Sequence, residues 1–186
     1  EDTNFLLNGG TVLAGDGMTG TPDTIGNSVI DNFSGNVELQ AIHNLEVSAS
    51  IFLGGTIPGN SLTLRAGNNL TIDSGVFINT NNGNVLFTAA DKTITGFTPA
   101  GSLTFNGSLN TGTASVTMSA GTGGIALTGT VNAGLLDLTT TGGGVIDAGG
   151  AIDVATLQST GNVVGDVSLP GVDSPLTTIG NLVVNN

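Results

Sequence analysis

The sequence predicts an all-β fold: a right-handed parallel β-helix (β-solenoid) of about eight coils that forms a single domain over residues 1–186. One apolar template recurs about every twenty residues, which is typical of solenoids, whose coils each bury an apolar face against the next. The chain also contains 31 glycines, which suit many tight turns, and no window has the 3.6-residue period of an amphipathic helix.

The template consists of two short runs of alternating apolar residues with a small residue at the bend between them. Alternate residues of a strand point to opposite faces, so we expect the apolar residues to face inward and the intervening polar residues to face solvent. The template residues are Val37, Leu39, Ala41, Leu45, Val47 and Ile51; Leu62, Leu64, Ala66, Leu70, Ile72 and Val76; Val85, Phe87, Ala89 and Ile94; Val116, Met118, Ala120, Ile125, Leu127 and Val131; and Leu136, Leu138 and Val145.

Along the chain, residues 1–36 are expected to form an irregular first coil or a cap, with short strands at 5–7 and 11–13. Residues 37–153 are expected to form the regular coils, with residues 103–105, between Val85 and Val116, closing a short coil. Residues 154–186 show a weaker pattern and end without a recognisable cap. We therefore expect the last coil to present an edge that can accept another strand.

Charge and composition limit the partners. The net charge is −12, and Arg65 and Lys92 are the only basic side chains. Nucleic acids and anionic membranes are therefore not expected partners, because both are bound through many Lys and Arg residues. No uninterrupted apolar run is long enough to span a bilayer, so no membrane insertion is expected.

Three runs carry a resemblance to a known family: residues 61–72 (SLTLRAGNNLTI), 115–121 (SVTMSAG) and 36–41 (NVELQA). They resemble coils of filamentous-haemagglutinin-like exoproteins, large bacterial adhesins of which many are exported by two-partner secretion. The Asn-Pro-Asn motifs of that family's secretion domain are absent from this sequence. The resemblance implies a right-handed parallel β-helix, an adhesive or scaffolding role outside the cell, and no catalytic residues.

Metal and cofactor sites are not expected. His43 is the one histidine and there is no cysteine, whereas transition-metal sites need several such ligands. Residues 143–153 are rich in Gly and Asp but lack the spacing of calcium-binding solenoid repeats. Weak calcium binding by the acidic chain stays open.

An enzyme is the alternative to a structural protein, because parallel β-helices also host polysaccharide lyases and hydrolases. A lyase would need a cation and a base, for which only Arg65 and Lys92 are candidates; a hydrolase would need paired carboxylates, such as two of Asp137, Asp147 and Asp153. Ice binding is a lesser alternative that needs regular rows of outward threonines. The threonines expected to face outward are Thr63, Thr71, Thr104, Thr117 and Thr139.

We therefore expect that the protein is not an enzyme. We expect a bacterial structural or adhesive protein that is secreted or lies on the cell surface, in which this chain is a rod-like building block. Its partners would be flanking repeats of a longer adhesin stalk or further copies of itself in a filament, and in addition a glycan or protein surface on a host or in the environment. In the filament, end strands of neighbouring copies would pair by β-augmentation. The predicted assembly residues are Asn4, Phe5, Leu6, Leu7, Asn181, Leu182, Val183 and Val184.

Overall fold

The computed structural model describes residue 6 and residues 8–14, 24–55, 58–94, 100–141, 144, 146–161, 163–172, 176, 178–179 and 184–185. These residues form short parallel strands and a short helix, α1, at Asn27–Asp31. The strands are β1 Thr11–Val12, β2 Val37–Ala41, β3 Leu45–Val47, β4 Ile51–Phe52, β5 Leu62–Ala66, β6 Leu70–Ile72, β7 Phe77–Asn79, β8 Val85–Thr88, β9 Leu103–Phe105, β10 Ser108–Asn110, β11 Ser115–Ala120, β12 Ile125–Leu127, β13 Thr130–Thr140, β14 Ile146–Asp147, β15 Ile152–Gln158, β16 Val163–Val164, β17 Val167–Ser168, β18 Thr178–Ile179 and β19 Val184–Asn185.

The strands stack into a three-sided parallel β-solenoid, which confirms the predicted fold class. The first side runs through β1, β2, β5, β8, β11, the second halves of β13 and β15, and β18. The second side runs from β3 through β6, β9, β12 and β14 to β17. The third side contains β4, β7, β10 and the first halves of β13 and β15.

The structure has about six coils rather than the expected eight. Residues 103–105 lie between Val85 and Val116 as expected, but the coil they help to close is not short: β9 continues the second side, with Leu103 between Leu70 and Ile125, in the coil that begins with β8. At the two ends, β1 and β18 each add one strand to the first side. Eight stacked strands at the usual spacing of about 4.8 Å give the first side a length of about 34 Å.

The core is one continuous apolar column along the axis, from Val12 to Val163. Nearly all of the described template residues lie in it as expected, whereas Ala41 and Leu45 are only half-buried, and Val145 lies outside the described residues. In the third coil Ile94 is buried, but the template position on the second side belongs to Leu103 instead. Each coil is thus held by apolar contacts inside and by ladder hydrogen bonds to its neighbours.

Four glycines stack at the corner between the second and third sides: Gly107, Gly129, Gly150 and Gly171. A Cβ atom on Gly129 would lie 1.9 Å from the carbonyl oxygen of Gly107, and one on Gly150 would lie 1.9 Å from that of Gly129. Successive coils therefore touch backbone to backbone at this corner. Glycine is required here by the close approach of two chains.

Helix α1 covers the N-terminal edge of the third side. Ile30 lies in the core, and an Asp31 Oδ1 atom accepts a hydrogen bond of 2.7 Å from the backbone N–H of Phe52 in the edge strand β4. This contact satisfies one of the backbone groups that an edge strand leaves unpaired. The N-terminal region, expected to be an irregular coil or cap, thus contains a helix that was not expected from the sequence.

No helix among the described residues has the length and apolar character needed to cross a membrane.

Candidate functional site

The outer surface of the third side carries two aromatic rings next to a row of amides. Phe52 in β4 and Phe77 in β7 both point outward, with ring centroids 5.7 Å apart, and the Phe52 side chain is 46% exposed. The positions that pair with Phe52 in the successive coils are polar. They are Asn79, Asn110, Asn132 and Asp153. We call Phe52, Phe77, Asn79 and Asn110 the aromatic–amide face.

Asn79 and Asn110 are held in the same orientation by the turns that follow them. The amide oxygen of Asn79 accepts a hydrogen bond of 2.9 Å from the N–H of Asn81, and that of Asn110 accepts one of 3.1 Å from the N–H of Gly112. Only the oxygen of an amide can accept from an N–H group, so each NH₂ group points away from its turn. Neither NH₂ group donates to another described residue, and neither is buried without a partner.

Two buried threonines fix these turns from inside. Thr80 and Thr111 are fully buried, and their hydroxyl groups donate to the carbonyl oxygens of Gly83 and Ala114, respectively. Neither residue is among the site residues predicted from the sequence. Their signal is a repeated Asn-Thr pair at the end of a strand, at residues 79–80 and 110–111.

A small corner pocket lies beside the N-terminal end of the aromatic–amide face. It has a volume of ≈ 200 Å³, and its lining includes Asp31, Ser34, Gly54 and Asn60. Asn60 is 9% exposed, and its Nδ2 atom is buried without a hydrogen-bond partner. An unsatisfied buried donor is costly, at about 1–3 kcal/mol, so this site is suited to a group that offers an acceptor.

The pocket and the face are linked by two contacts. Asp31, which lines the pocket, accepts from the backbone of Phe52. Gly54, which also lines the pocket, accepts a hydrogen bond of 2.8 Å from the side chain of Asn81. The two features therefore form one continuous surface near the N-terminal end of the rod.

Arg65 is not free to act as a catalytic cation. Its Nε atom lies 2.6 Å from Asp91 Oδ2 and its Nη1 atom 3.3 Å from Glu38 Oε1, while its Nη2 atom donates to the hydroxyl of Thr93. The three charged residues belong to three successive coils, so this ion-pair cluster joins the coils across the first side.

The pKa values of the two closest partners reflect this pairing. The hydrogen bond to Asp91 raises the pKa of Arg65 above its ordinary value, against the opposing effect of burial. Burial by itself would raise the pKa of Asp91, but hydrogen bonds from Arg65 and Thr93 and the charge of Arg65 together lower it. Both residues are therefore charged at neutral pH.

The other residues considered for catalysis or metal binding are dispersed. Lys92 and His43 are both exposed. Asp137, Asp147 and Asp153 lie in β13, β14 and β15, on the first, second and third side of one coil, so the structure does not bring these carboxylates together.

Asp137 accepts hydrogen bonds from the Gln158 side chain and the Thr160 backbone. Within the part of the chain that the structure describes, no group of three or more His, Cys, Asp or Glu side chains could hold a metal ion.

The outward threonines do not form an unbroken row. Thr71 and Thr104 are neighbours on the second side, but Ala126 follows them. On the first side Leu86 lies between Thr63 and Thr117. A regular array of hydroxyls, which ice binding would use, is not formed by these residues.

The predicted assembly residues fall mostly outside the described residues: Asn4, Phe5, Leu7, Asn181, Leu182 and Val183 do so. Leu6 has a helical backbone and a side chain that is 56% exposed. Val184 begins β19, which pairs in parallel with β16 of the same chain. Pairing between copies would require Leu6 to become extended, and it stays a prediction.

Comparison with known proteins gives no match, either to a protein-family model, to a curated protein or to a solved structure. The resemblance to filamentous-haemagglutinin-like coils therefore stays a prediction from the repeat pattern.

Proposed function

We propose that the chain is a structural and adhesive building block outside the bacterial cell, a short rod that contributes length and a surface rather than catalysis. The observation that carries this proposal is the uninterrupted stacking along the axis. The first side continues through eight strands in register, and the core is one apolar column. Each coil contacts chiefly its neighbours, so the architecture can be lengthened by adding coils.

The dimensions favour a role within a longer assembly. A stack of about 34 Å is short for a spacer, so an extended structure needs more coils from the same chain or from further copies. Secretion and a place on the cell surface follow from the resemblance of the repeats to bacterial adhesins, and belong to the proposal.

Of the two ways of extending the rod, the covered N-terminal edge favours a stalk of contiguous coils. A filament would have to add a strand to β4, whose edge is occupied by α1 through Asp31, or would have to leave that side unpaired. The filament remains the competing arrangement.

Light scattering and electron microscopy of the untagged chain over a range of concentrations distinguish the two arrangements. The stalk arrangement predicts dispersed monomers at all concentrations. The filament arrangement predicts polymers with an axial repeat near 34 Å that disappear when residues 4–7 are deleted.

The adhesive part is tested separately by displaying the chain on a non-adherent bacterium and measuring the retention of the cells on glycan-coated and protein-coated surfaces under flow. Retention above that of cells that display no chain is the expected result. A chain that neither polymerises nor promotes retention, when displayed alone or within repeated copies, would refute the proposal.

A further inference from the structure

We propose that the aromatic–amide face and the corner pocket together bind a neutral polysaccharide whose chain lies along the rod axis. This inference rests on the adhesive part of the proposed function and names the surface and the class of ligand. It is carried by three features of the described residues: an exposed ring, Phe52, beside the half-buried ring of Phe77, two oriented amide donors in register, and a buried donor that lacks a partner.

The rings supply the apolar contact. Phe52 and Phe77 are tilted by 44° to each other and lie on an otherwise polar surface. A pyranose ring has one face of C–H groups that can cover an aromatic ring, and it surrounds that face with hydroxyl groups. Such a ligand buries the exposed carbon of Phe52 and leaves the polar neighbours solvated or hydrogen-bonded.

The amides supply hydrogen-bond donors that are aligned along the rod axis. The NH₂ groups of Asn79 and Asn110 repeat from coil to coil at the strand spacing of about 4.8 Å, and their turns hold them in place. Hydroxyl and ring oxygens of a sugar chain can accept hydrogen bonds from such donors. Because the side chains are already oriented, little conformational entropy is lost on binding.

The corner pocket would bind one unit of the polysaccharide at the N-terminal end of the aromatic–amide face. Asn60, whose Nδ2 donor is buried without a partner, lines the pocket together with Asp31 and Ser34, whose side chains carry oxygen acceptors. The pocket volume of ≈ 200 Å³ is below the range of about 300–1,000 Å³ usual for drug-sized ligands, which suits one small polar unit. A sugar hydroxyl, which both donates and accepts, fits this combination.

The negative net charge of the chain disfavours anionic glycans, and the paired backbone of the third side disfavours a peptide ligand. The chain carries a net charge of −12, and Arg65, one of its two cations, is paired on another side of the rod. Sulfated or uronic-acid-rich chains would be repelled. An extended peptide would need a free strand edge, whereas β7, β10 and the first half of β13 are each already paired on both sides.

The test measures binding of the whole chain to immobilised mannan, xylan and β-glucan, with heparin as the polyanionic comparison. We expect retention by at least one of the neutral polysaccharides and none by heparin. Retention by none of the neutral polysaccharides, or strongest retention by heparin, would overturn the inference.

Matched variants locate the site. Phe52→Ser is expected to weaken binding at least about fivefold, whereas Leu86→Ser, which removes an exposed apolar side chain from the first side, should change it less than twofold. Asn110→Asp keeps the oxygen that holds the turn but replaces the donor, and it should also weaken binding at least about fivefold. Equal effects of Phe52→Ser and Leu86→Ser would contradict the assignment.

Asn60→Ala distinguishes a binding role from a structural one. It removes an unsatisfied donor, so the melting temperature should stay the same or rise while binding falls. Unchanged binding would remove the pocket from the site. Loss of all glycan binding in a chain that still forms a stalk or polymerises refutes this inference alone, and leaves the structural part of the proposed function standing.

Discussion

The stacked glycines give the sharpest test of how closely the coils approach each other. Gly149 and Gly150 are neighbours in the chain, yet a Cβ atom would meet nothing within 4 Å at Gly149 and would lie 1.9 Å from the Gly129 carbonyl oxygen at Gly150. The same substitution, Gly→Ala, is thus expected to have opposite effects at two adjacent positions, with no change in charge.

The magnitude follows from the contact. An ordinary contact of this kind begins at 3.4 Å, so Gly150→Ala must separate two coils by about 1.5 Å. Such overpacking costs about 1–3 kcal/mol, and the hydrogen bond of 2.8 Å from the Gly150 N–H to the Leu127 carbonyl oxygen, worth about 1 kcal/mol, is lost with it. Alanine returns about 0.4–1 kcal/mol by restricting the unfolded chain, which leaves a net loss of about 2 kcal/mol.

Thermal unfolding followed by far-ultraviolet circular dichroism measures the effect, because the chain has no Trp or Tyr for fluorescence. For a chain of this size, about 2 kcal/mol corresponds to a melting temperature about 4–8 °C lower for Gly150→Ala. Gly149→Ala should leave the melting temperature unchanged or raise it by about 1–4 °C. Equal melting temperatures for the two variants would refute the close backbone contact at this corner.

Four further predictions concern the ion pairs, the turns and the core. Arg65→Ala should destabilise the chain by about 2–3 kcal/mol because it leaves Asp91 buried without its cation, whereas Lys92→Ala, which removes the same charge from an exposed site, should cost under about 0.5 kcal/mol in urea unfolding. Because the pKa of Asp91 is lowered by folding, its contribution is full at neutral pH and is lost as the pH falls below about 4; an Asp91→Asn variant equally less stable at pH 7 and pH 2.5 would contradict this. Thr111→Val, which removes one buried hydrogen bond to Ala114, should cost about 1 kcal/mol in the same assay, and a gain in stability would argue against the turn geometry. Leu127→Asp should open the neighbouring coils, so that limited proteolysis cuts in the middle of the chain; cleavage near the termini alone would contradict nearest-neighbour stability.

Much of the first side could be predicted because its signal is local. Strand alternation alone identified Leu62, Leu64, Val116 and Met118 as inward-facing, and all four are buried. An alternating pattern determines which face of a strand is apolar wherever the strand lies.

The third coil could not be predicted in the same way. Ile94 is apolar and lies at a suitable distance after Ala89, but Leu103 pairs with Leu70 on the second side. The choice depends on a pairing between residues far apart in the chain, which local spacing does not record. Helix α1 was missed because five residues are too few to show a period and its Gly26 cap makes no side-chain hydrogen bond.

The candidate site was even less accessible from the sequence. Phe52, Phe77 and Asn60 are unremarkable in a chain that is rich in Asn and has seven Phe residues. Their significance comes from stacking, which places residues of different coils side by side, and from a donor that finds no partner after folding. Only the repeated Asn-Thr pair could have pointed to this surface.

The claim that the chain works through its shape and surface, without turning over a substrate, is tested most directly by product analysis. The untagged chain is incubated with soluble neutral and uronic-acid-containing polysaccharides, and new reducing ends and unsaturated products are measured over many hours. We expect the polysaccharides to keep their length. More than one product molecule per protein chain would contradict it and establish the glycan-active alternative.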